Sequence, residues 1–178
     1  MTSKMLYKGR ILGLEVQEVG LDNGRQAVRE IIRHGPAVAV LAQRPDGRFL
    51  FVRQFRKPVE QALLEVVAGN REPGEEAETC ARRELEEETG HRPQRILPLG
   101  FIYPSPGYVD ERIDLFFAEV DDKPGPARPD EDENLTVVLL TRTQVEAQLR
   151  DGGICDAKTL AAWLRYELRR DGAGALSP

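Results

Sequence analysis

The stretch from Glu75 to Thr89, EEAETCARRELEEET, constrains this chain more than any other. Pro73-Gly74 and Gly90 bracket it, strong helix formers fill it, and acids occupy its first turn, where the positive end of a helix dipole favours them. Ala77, Ala81 and Leu85 recur every four residues, so a small, apolar face can lie flat against a sheet. Glu84 and Glu88 are also four apart, and Glu87 is three from Glu84, which gathers carboxylates on another face, predicted to point outward. Like charges this close repel unless a cation or basic partner relieves them, and hard ions such as Mg²⁺ prefer oxygen ligands. The alternative is an ordinary solvated face held by ion pairs such as Arg83 with Glu87.

What surrounds this helix reads as strand and turn. DNGR (Asp22 to Arg25) and PDGR (Pro45 to Arg48) carry the Asp and Gly that tight turns need. Around the second, AVAVLAQ (Ala37 to Gln43) and FLFVRQF (Phe49 to Phe55) suit neighbouring strands at the centre of a largely buried sheet. RILPLGFIY (Arg95 to Tyr103), RIDLFFAEV (Arg112 to Val120) and LTVVLLT (Leu135 to Thr141) also have strand character, with an acidic, Pro-rich loop from Asp121 to Asn134 before the last. Two short helices are predicted to follow, one with Thr143 and Glu146 as a capping box and one capped by Asp156 that runs to Arg170.

With 178 residues, 40% of them hydrophobic, the chain can bury one core. Acids exceed bases by 30 to 25, so no broad basic face is expected, and neither nucleic acid nor a membrane surface is an expected partner. Cys80 and Cys155 lack the spacing of a zinc site, and His34 and His91 are too isolated for a His-based triad, which leaves acid/base work to carboxylates. The first residues hold no apolar segment of leader length, and nothing approaches the roughly 20 apolar residues of a membrane span. The expectation is a cytoplasmic enzyme.

From Gly69 the chain reads GNREPGEEAETCARRELEEETG. Gly69, Glu75, Arg83, Glu84, Leu85, Glu87, Glu88 and Gly90 stand where the Nudix box, G-x5-E-x7-R-E-U-x-E-E-x-G-U, specifies them. Only the last position departs, with His91 in place of an aliphatic residue that packs beneath the following loop. Chance agreement is on the order of one in a million per register. The chain therefore resembles Nudix hydrolases. That resemblance implies an α/β fold, an α/β/α sandwich on a mixed central sheet, preceded by an antiparallel β-rich N-terminal segment. The expected divisions are 1–35 for that segment, 36–171 for the hydrolase domain and 172–178 for a flexible tail. It further implies that Glu84 and Glu88 hold Mg²⁺, with Mn²⁺ as the alternative ion. Glu87 serves as a further ligand or base, and Ala68 offers its backbone carbonyl. Arg83 orients the acids by charge-assisted hydrogen bonds.

Segments outside the box resemble the ADP-ribose pyrophosphatase subfamily. YPSPGYVDE (Tyr103 to Glu111) matches its SPG-containing segment, with Ser105, Pro106, Gly107 and Glu111 as substrate contacts and Pro106 at the marker position. VRQFRKPVEQALLEVVAGN is similar to its approach to the box. It carries Arg56 as a phosphate or ribose contact and Val67 where many relatives have proline. In PDEDE (Pro129 to Glu133), Glu133 maps to the subfamily's candidate general base, with Glu131 close by. Arg29 and Glu30 match a pair that reaches the adenine side, often from the partner of a swapped homodimer; an edge-strand ion pair is the other reading. The implied reaction is metal-dependent hydrolysis of ADP-ribose, a small nucleoside diphosphate, to AMP and ribose 5-phosphate. The alternatives are another nucleoside diphosphate sugar such as GDP-mannose, or a non-catalytic module that senses ADP-ribose.

Overall fold

The computed structural model describes residues 2–127 and 135–172. The chain opens as an antiparallel meander of β1 (Thr2–Lys8), β2 (Leu12–Gly20) and β3 (Gln26–His34), a three-stranded sheet of its own. The β2–β3 connection is the expected DNGR turn. Gly24 sits at φ 78°, a left-handed conformation open to glycine at no steric cost, and Leu21 N–H donates to the Arg25 carbonyl at 2.8 Å.

Next come β4 (Ala37–Gln43) and β5 (Phe49–Arg56), the two apolar runs around PDGR. They pair only beside their turn, Ala42 with Leu50 and Gln43 with Phe49, and then diverge. The following chain fills the gap: β6 (Gln61–Glu65) pairs with β5, and β7 (Val67–Asn70) pairs with β4. Val66, which crosses between them, donates its N–H to Thr159 Oγ1 at 2.9 Å, so this buried backbone group is satisfied from a distant helix. After α1 (Ala77–Thr89), the strands β8 (Pro93–Ile102), β9 (Ile113–Val120) and β10 (Leu135–Leu140) complete a seven-stranded sheet. Its main path is β10-β5-β4-β9-β8, with β4 and β9 parallel and the other pairs antiparallel. The expected mixed sheet is present, with the β4–β5 hairpin at its middle.

Strand alternation divides the core between two faces. Val38, Val40 and Ala42 of β4 join Cys80, Ala81 and Leu85 of α1. Ala39 and Leu41 point the other way, toward Val145 of α2 (Arg142–Arg150) and Ala162, Trp163 and Tyr166 of α3 (Ala157–Gly172). Phe49 meets Trp163 edge-on at 5.0 Å and Phe117 stacks on Tyr166 at 4.6 Å, which seats α3 on the sheet. Helix, sheet and helix form the sandwich. The edge strand β8 carries Pro93 and Pro98, which cannot donate to a further strand, and Arg169 donates to the Pro98 carbonyl.

Local boundaries differ from expectation in three places. Helix α1 starts at Ala77 rather than Glu75, because Glu75 N–H bonds the Glu72 carbonyl, Arg71 grips the Glu75 carbonyl, and the Glu75 carboxylate is committed elsewhere. The capping box of α2 is Thr141 with Gln144, not Thr143 with Glu146, so the strand before it ends one residue early and the helix begins two residues sooner than read. Strands β6 and β7 were not separable from sequence, since one short run serves two partners. Asp156 does cap α3, accepting from Thr159 N–H at 2.9 Å.

Candidate active site

The site is built where β7 meets α1. A Cβ placed on Gly69 would lie 1.9 Å from the carboxyl carbon of Glu84 and 2.1 and 2.3 Å from its oxygens. Only glycine lets that carboxylate rest on the strand backbone, beside Ala68. The spacing between box glycine and box glutamate is thus a packing requirement.

Arg83 organises the acids around it. Its Nε and Nη2 donate to the two oxygens of Glu75 at 2.9 and 3.0 Å, and Nη1 donates to Glu84 at 2.7 Å and Glu87 at 2.9 Å. Nη2 also reaches the Asn70 carbonyl at 3.2 Å, tying helix to strand. The planar, multiply donating guanidinium suits this task better than an ammonium would. The hydrogen bonds from Arg83 draw the Glu75 carboxyl down to about 2, and the same contacts, led by Glu75, raise Arg83 above its already high value. Arg83 was expected to bond the acidic cluster; its pairing with Glu75 was not foreseen, although the eight-residue interval between them spans about two helical turns.

The acids do not all face outward. Glu88 is 3% exposed, inside the helix–sheet layer, while Glu87 is 43% exposed at its side chain. A carboxylate therefore shares the face that was expected only to pack, because position 88 lies between the apolar stripe and the acidic one. Among the described residues no three His, Cys, Asp or Glu side chains converge as a ready-made metal cage. The donor set nonetheless fits a hard divalent ion. Glu84 is pressed onto the strand at Gly69, and it, Glu88 and the Ala68 carbonyl are oxygen donors of the kind such an ion would take.

A hollow of about 570 Å³ opens over this corner. Ala68, Gly69, Arg83 and Glu84 form one wall, and Arg56, Glu111 and Lys158 stand on others. Arg56, expected to contact substrate, lies in the hollow but donates Nε and Nη2 to Glu65 at 2.8 and 2.7 Å. Glu111 lies 3.7 Å from His34 Nδ1. A second hollow, about 630 Å³, gathers Arg29, Glu30, Pro106 and Gly107 with Tyr103, Tyr108 and Arg33. The structure thus separates the expected contacts into two groups, Ser105 lining neither hollow, with other residues of the 103–111 loop lining both. That loop is stapled to β3: Ile32 N–H donates to the Tyr108 carbonyl at 2.7 Å, and Arg33 donates to Asp110 at 2.8 Å. The Ser105 carbonyl closes the turn by accepting from Tyr108 and Val109. Arg29 is hydrogen-bonded to the Val28 carbonyl at 3.1 Å.

His91, the departure from the box, is 3% exposed, and its Nδ1 lies 3.1 Å from the Asp121 carbonyl. It packs beneath the loop that follows β9, as a polar substitute for an aliphatic residue. Gly125 donates to the Gly90 carbonyl at 2.7 Å, so the acidic loop sets out from the C-terminal end of α1. Glu131 and Glu133 lie outside the described residues. Cys80 is buried and its thiol is pushed up to about 12 by that burial, an unreactive packing residue; Cys155 is exposed.

The model of the NUDIX domain matches residues 33–163. An ADP-ribose pyrophosphatase of Bacillus subtilis (strain 168) is 39% identical over 173 residues, 95% of this chain and 92% of that protein. The methanol dehydrogenase activator of Bacillus methanolicus is 38% identical over 161 residues, 90% of this chain and 87% of that one. A crystal structure of an ADP compounds hydrolase superposes with a TM-score of 0.86 over 98% of this chain and 94% of that chain, at 23% sequence identity, which is a likeness of fold.

Proposed function

Since the chain belongs to the Nudix family and is a Nudix hydrolase, we propose that it splits ADP-ribose into AMP and ribose 5-phosphate with Mg²⁺ as its cation. The observation that carries this reading is the hollow of about 570 Å³ whose lining joins the Glu84 corner with Arg56, enough for a diphosphate and part of its sugar. The relative from Bacillus subtilis supports the choice of substrate.

In this proposal Glu84, Glu88 and the Ala68 carbonyl hold the cation, with Glu87 as a further ligand or base. The ion supplies charge neutralisation at the phosphates and lowers the pKa of attacking water. Arg83 keeps the carboxylates in place by its bonds to Glu75, Glu84 and Glu87. Arg56 adds positive field in the same hollow, which a chain of net charge −5 needs locally. Arg29, Glu30, Ser105, Pro106, Gly107 and Glu111 are assigned to the nucleoside and sugar. The general base is assigned to Glu133 on the resemblance alone.

A homodimer belongs to the same proposal. Tyr7 is 59% exposed, Leu12 39% and Val28 59%, all on the N-terminal sheet, apolar side chains that a second subunit would cover. We assign residues 1–35 to the contact between subunits.

The test is a panel of ADP-ribose, GDP-mannose and other nucleoside diphosphate sugars, each with Mg²⁺ and with chelator, followed by product identification. ADP-ribose cleaved fastest, and only with metal, upholds the proposal; another sugar cleaved fastest overturns the choice of substrate. Similarity to a protein named as an activator favours a second reading, in which binding serves regulation. Tight ADP-ribose binding without turnover would establish that reading instead.

A further inference from the structure

The hollow beside the acidic helix also meets a charge cluster that the box does not account for. Glu65, at the end of β6, is 1% exposed. It receives Nε and Nη2 of Arg56 on its two oxygens, and Lys158 Nζ donates to it as well. Lys158 also donates to Asp156 at 3.0 Å, and its side chain is 12% exposed. Burial alone would push the Glu65 carboxyl up, but the hydrogen bonds and charges of Arg56 and Lys158 outweigh it and hold it below its ordinary value.

The donor arithmetic suggests a use. An ammonium carries three N–H groups, and Glu65 and Asp156 take two; a guanidinium carries five, and Glu65 takes the Nε and Nη2 edge of Arg56. Each cation keeps donors to spare, and both residues line the hollow that holds Glu84. The first turn of α3 fixes Lys158 rigidly. Asp156 caps the helix, and Thr159 on the next residue binds both Asp156 and Val66 N–H. A lysine used only to neutralise Glu65 would be redundant, since Arg56 already pairs with it through both oxygens.

We infer that Lys158 is a substrate-binding residue that contacts the diphosphate in the hollow it shares with Glu84, and that Glu65 is the positioning residue that aims Lys158 and Arg56 together. This rests on the reading of the hollow as a diphosphate site. As a point charge on a fixed stem, Lys158 would favour phosphate oxygens over a neutral sugar.

The probe is inorganic pyrophosphate, titrated calorimetrically into the full chain with chelator present, for the wild type, Lys158→Met, Lys158→Arg and Glu65→Gln. ADP-ribose kinetics and thermal unfolding run alongside. Lys158→Met should weaken pyrophosphate about tenfold and raise KM by a similar factor with kcat little changed, and Lys158→Arg should recover most of the affinity. Glu65→Gln should weaken pyrophosphate while both cations remain. Should Lys158→Met fail to fold, the Lys158→Arg and Lys158→Gln pair gives the same contrast. Unchanged pyrophosphate affinity in Lys158→Met or Lys158→Gln, or no pyrophosphate binding by the wild type, overturns the inference. If the wild type binds pyrophosphate through Lys158 but hydrolyses no nucleoside diphosphate, the inference stands and the proposed reaction fails.

Discussion

Val38, Ala39, Val40 and Leu41 on β4 are 0% exposed, whereas Met5, Tyr7 and Val28 on β1 and β3 are 47%, 59% and 59% exposed. The centre of the large sheet is written in nearly continuous apolar runs, whereas β1 to β3 interleave apolar with polar and charged residues, and the two sheets are stabilised differently. The seven-stranded sheet is covered on both faces by helices, so every side chain of β4 up to Ala42 has apolar neighbours. The three-stranded sheet has no helix of its own and is joined to the rest through polar contacts. Arg33 bridges Glu15 at 2.5 Å and Asp110 at 2.8 Å, and Asp110 also accepts from His34 N–H at 2.9 Å. One sheet is a core; the other is a platform whose apolar side chains stay exposed in the single chain, where we propose the subunit contact.

Truncation of a core aromatic should mark the largest difference. Phe51→Ala removes a ring at 0% exposure and should cost about 3–5 kcal/mol, while Val28→Ala in the monomeric chain should stay within about 0.5 kcal/mol. Chemical denaturation at low protein concentration compares them directly. A large loss at Val28 would mean that the N-terminal sheet is as tightly packed as the core. The next effect in size lies at the junction of β7 and α1. Gly69→Ala would drive a methyl into the Glu84 carboxylate, and turnover should fall by about 10²-fold with the fold retained by circular dichroism. Activity near that of the wild type would show that Glu84 need not rest on the strand.

How far each region could be read beforehand follows from the same contrast. Burial on two faces writes continuous apolar runs, so β4, β5 and β9 were legible, and the box marked α1 and its arginine and glutamates. Strands β6 and β7 were not legible, because their division depends on where β4 and β5 part, a long-range fact that no local period carries. The cluster of Glu65, Arg56 and Lys158 escaped notice for the same reason: its members lie 9 and 93 residues apart and meet only when α3 docks. The D-x-K-T run, Asp156 to Thr159, was read only as a cap, although three of its side chains have separate tasks. Burial of Glu88 was missed because spacing alone assigns a residue to an angle on the helix, not to solvent or core.

A smaller effect tests the platform. Tyr7→Asp should leave the thermal stability of the isolated subunit almost unchanged and shift a homodimer toward monomer in sedimentation, since it places a charge in the exposed apolar surface. A species of unchanged mass would break the assignment of residues 1–35 to the subunit contact.

Acid should weaken both regions by the same chemistry, and this is the smallest effect expected. Glu15 is lowered from 4.5 to about 2, chiefly by hydrogen bonds from Gln17, Ser3 and Arg33. Glu75 is lowered from 4.5 to about 2, chiefly by Arg83. A carboxyl whose folded pKa lies below its unfolded one contributes stability in full above the unfolded value, and that contribution disappears as pH falls toward the folded value. The window for both is therefore about 4.5 down to about 2, with no change expected near neutrality. Solvent screens both groups, so each contribution is modest. Thermal unfolding across that range should show a shallower pH slope for Glu75→Gln and, separately, for Glu15→Gln. Loss of Glu75 should also loosen Arg83 and lower turnover at neutral pH, whereas loss of Glu15 should first free the N-terminal sheet, seen as faster amide exchange along β2 and β3. Equal slopes in wild type and Glu75→Gln would mean that Arg83 is held by Glu84 and Glu87 alone, and that the box glutamate at position 75 contributes nothing to ordering the site.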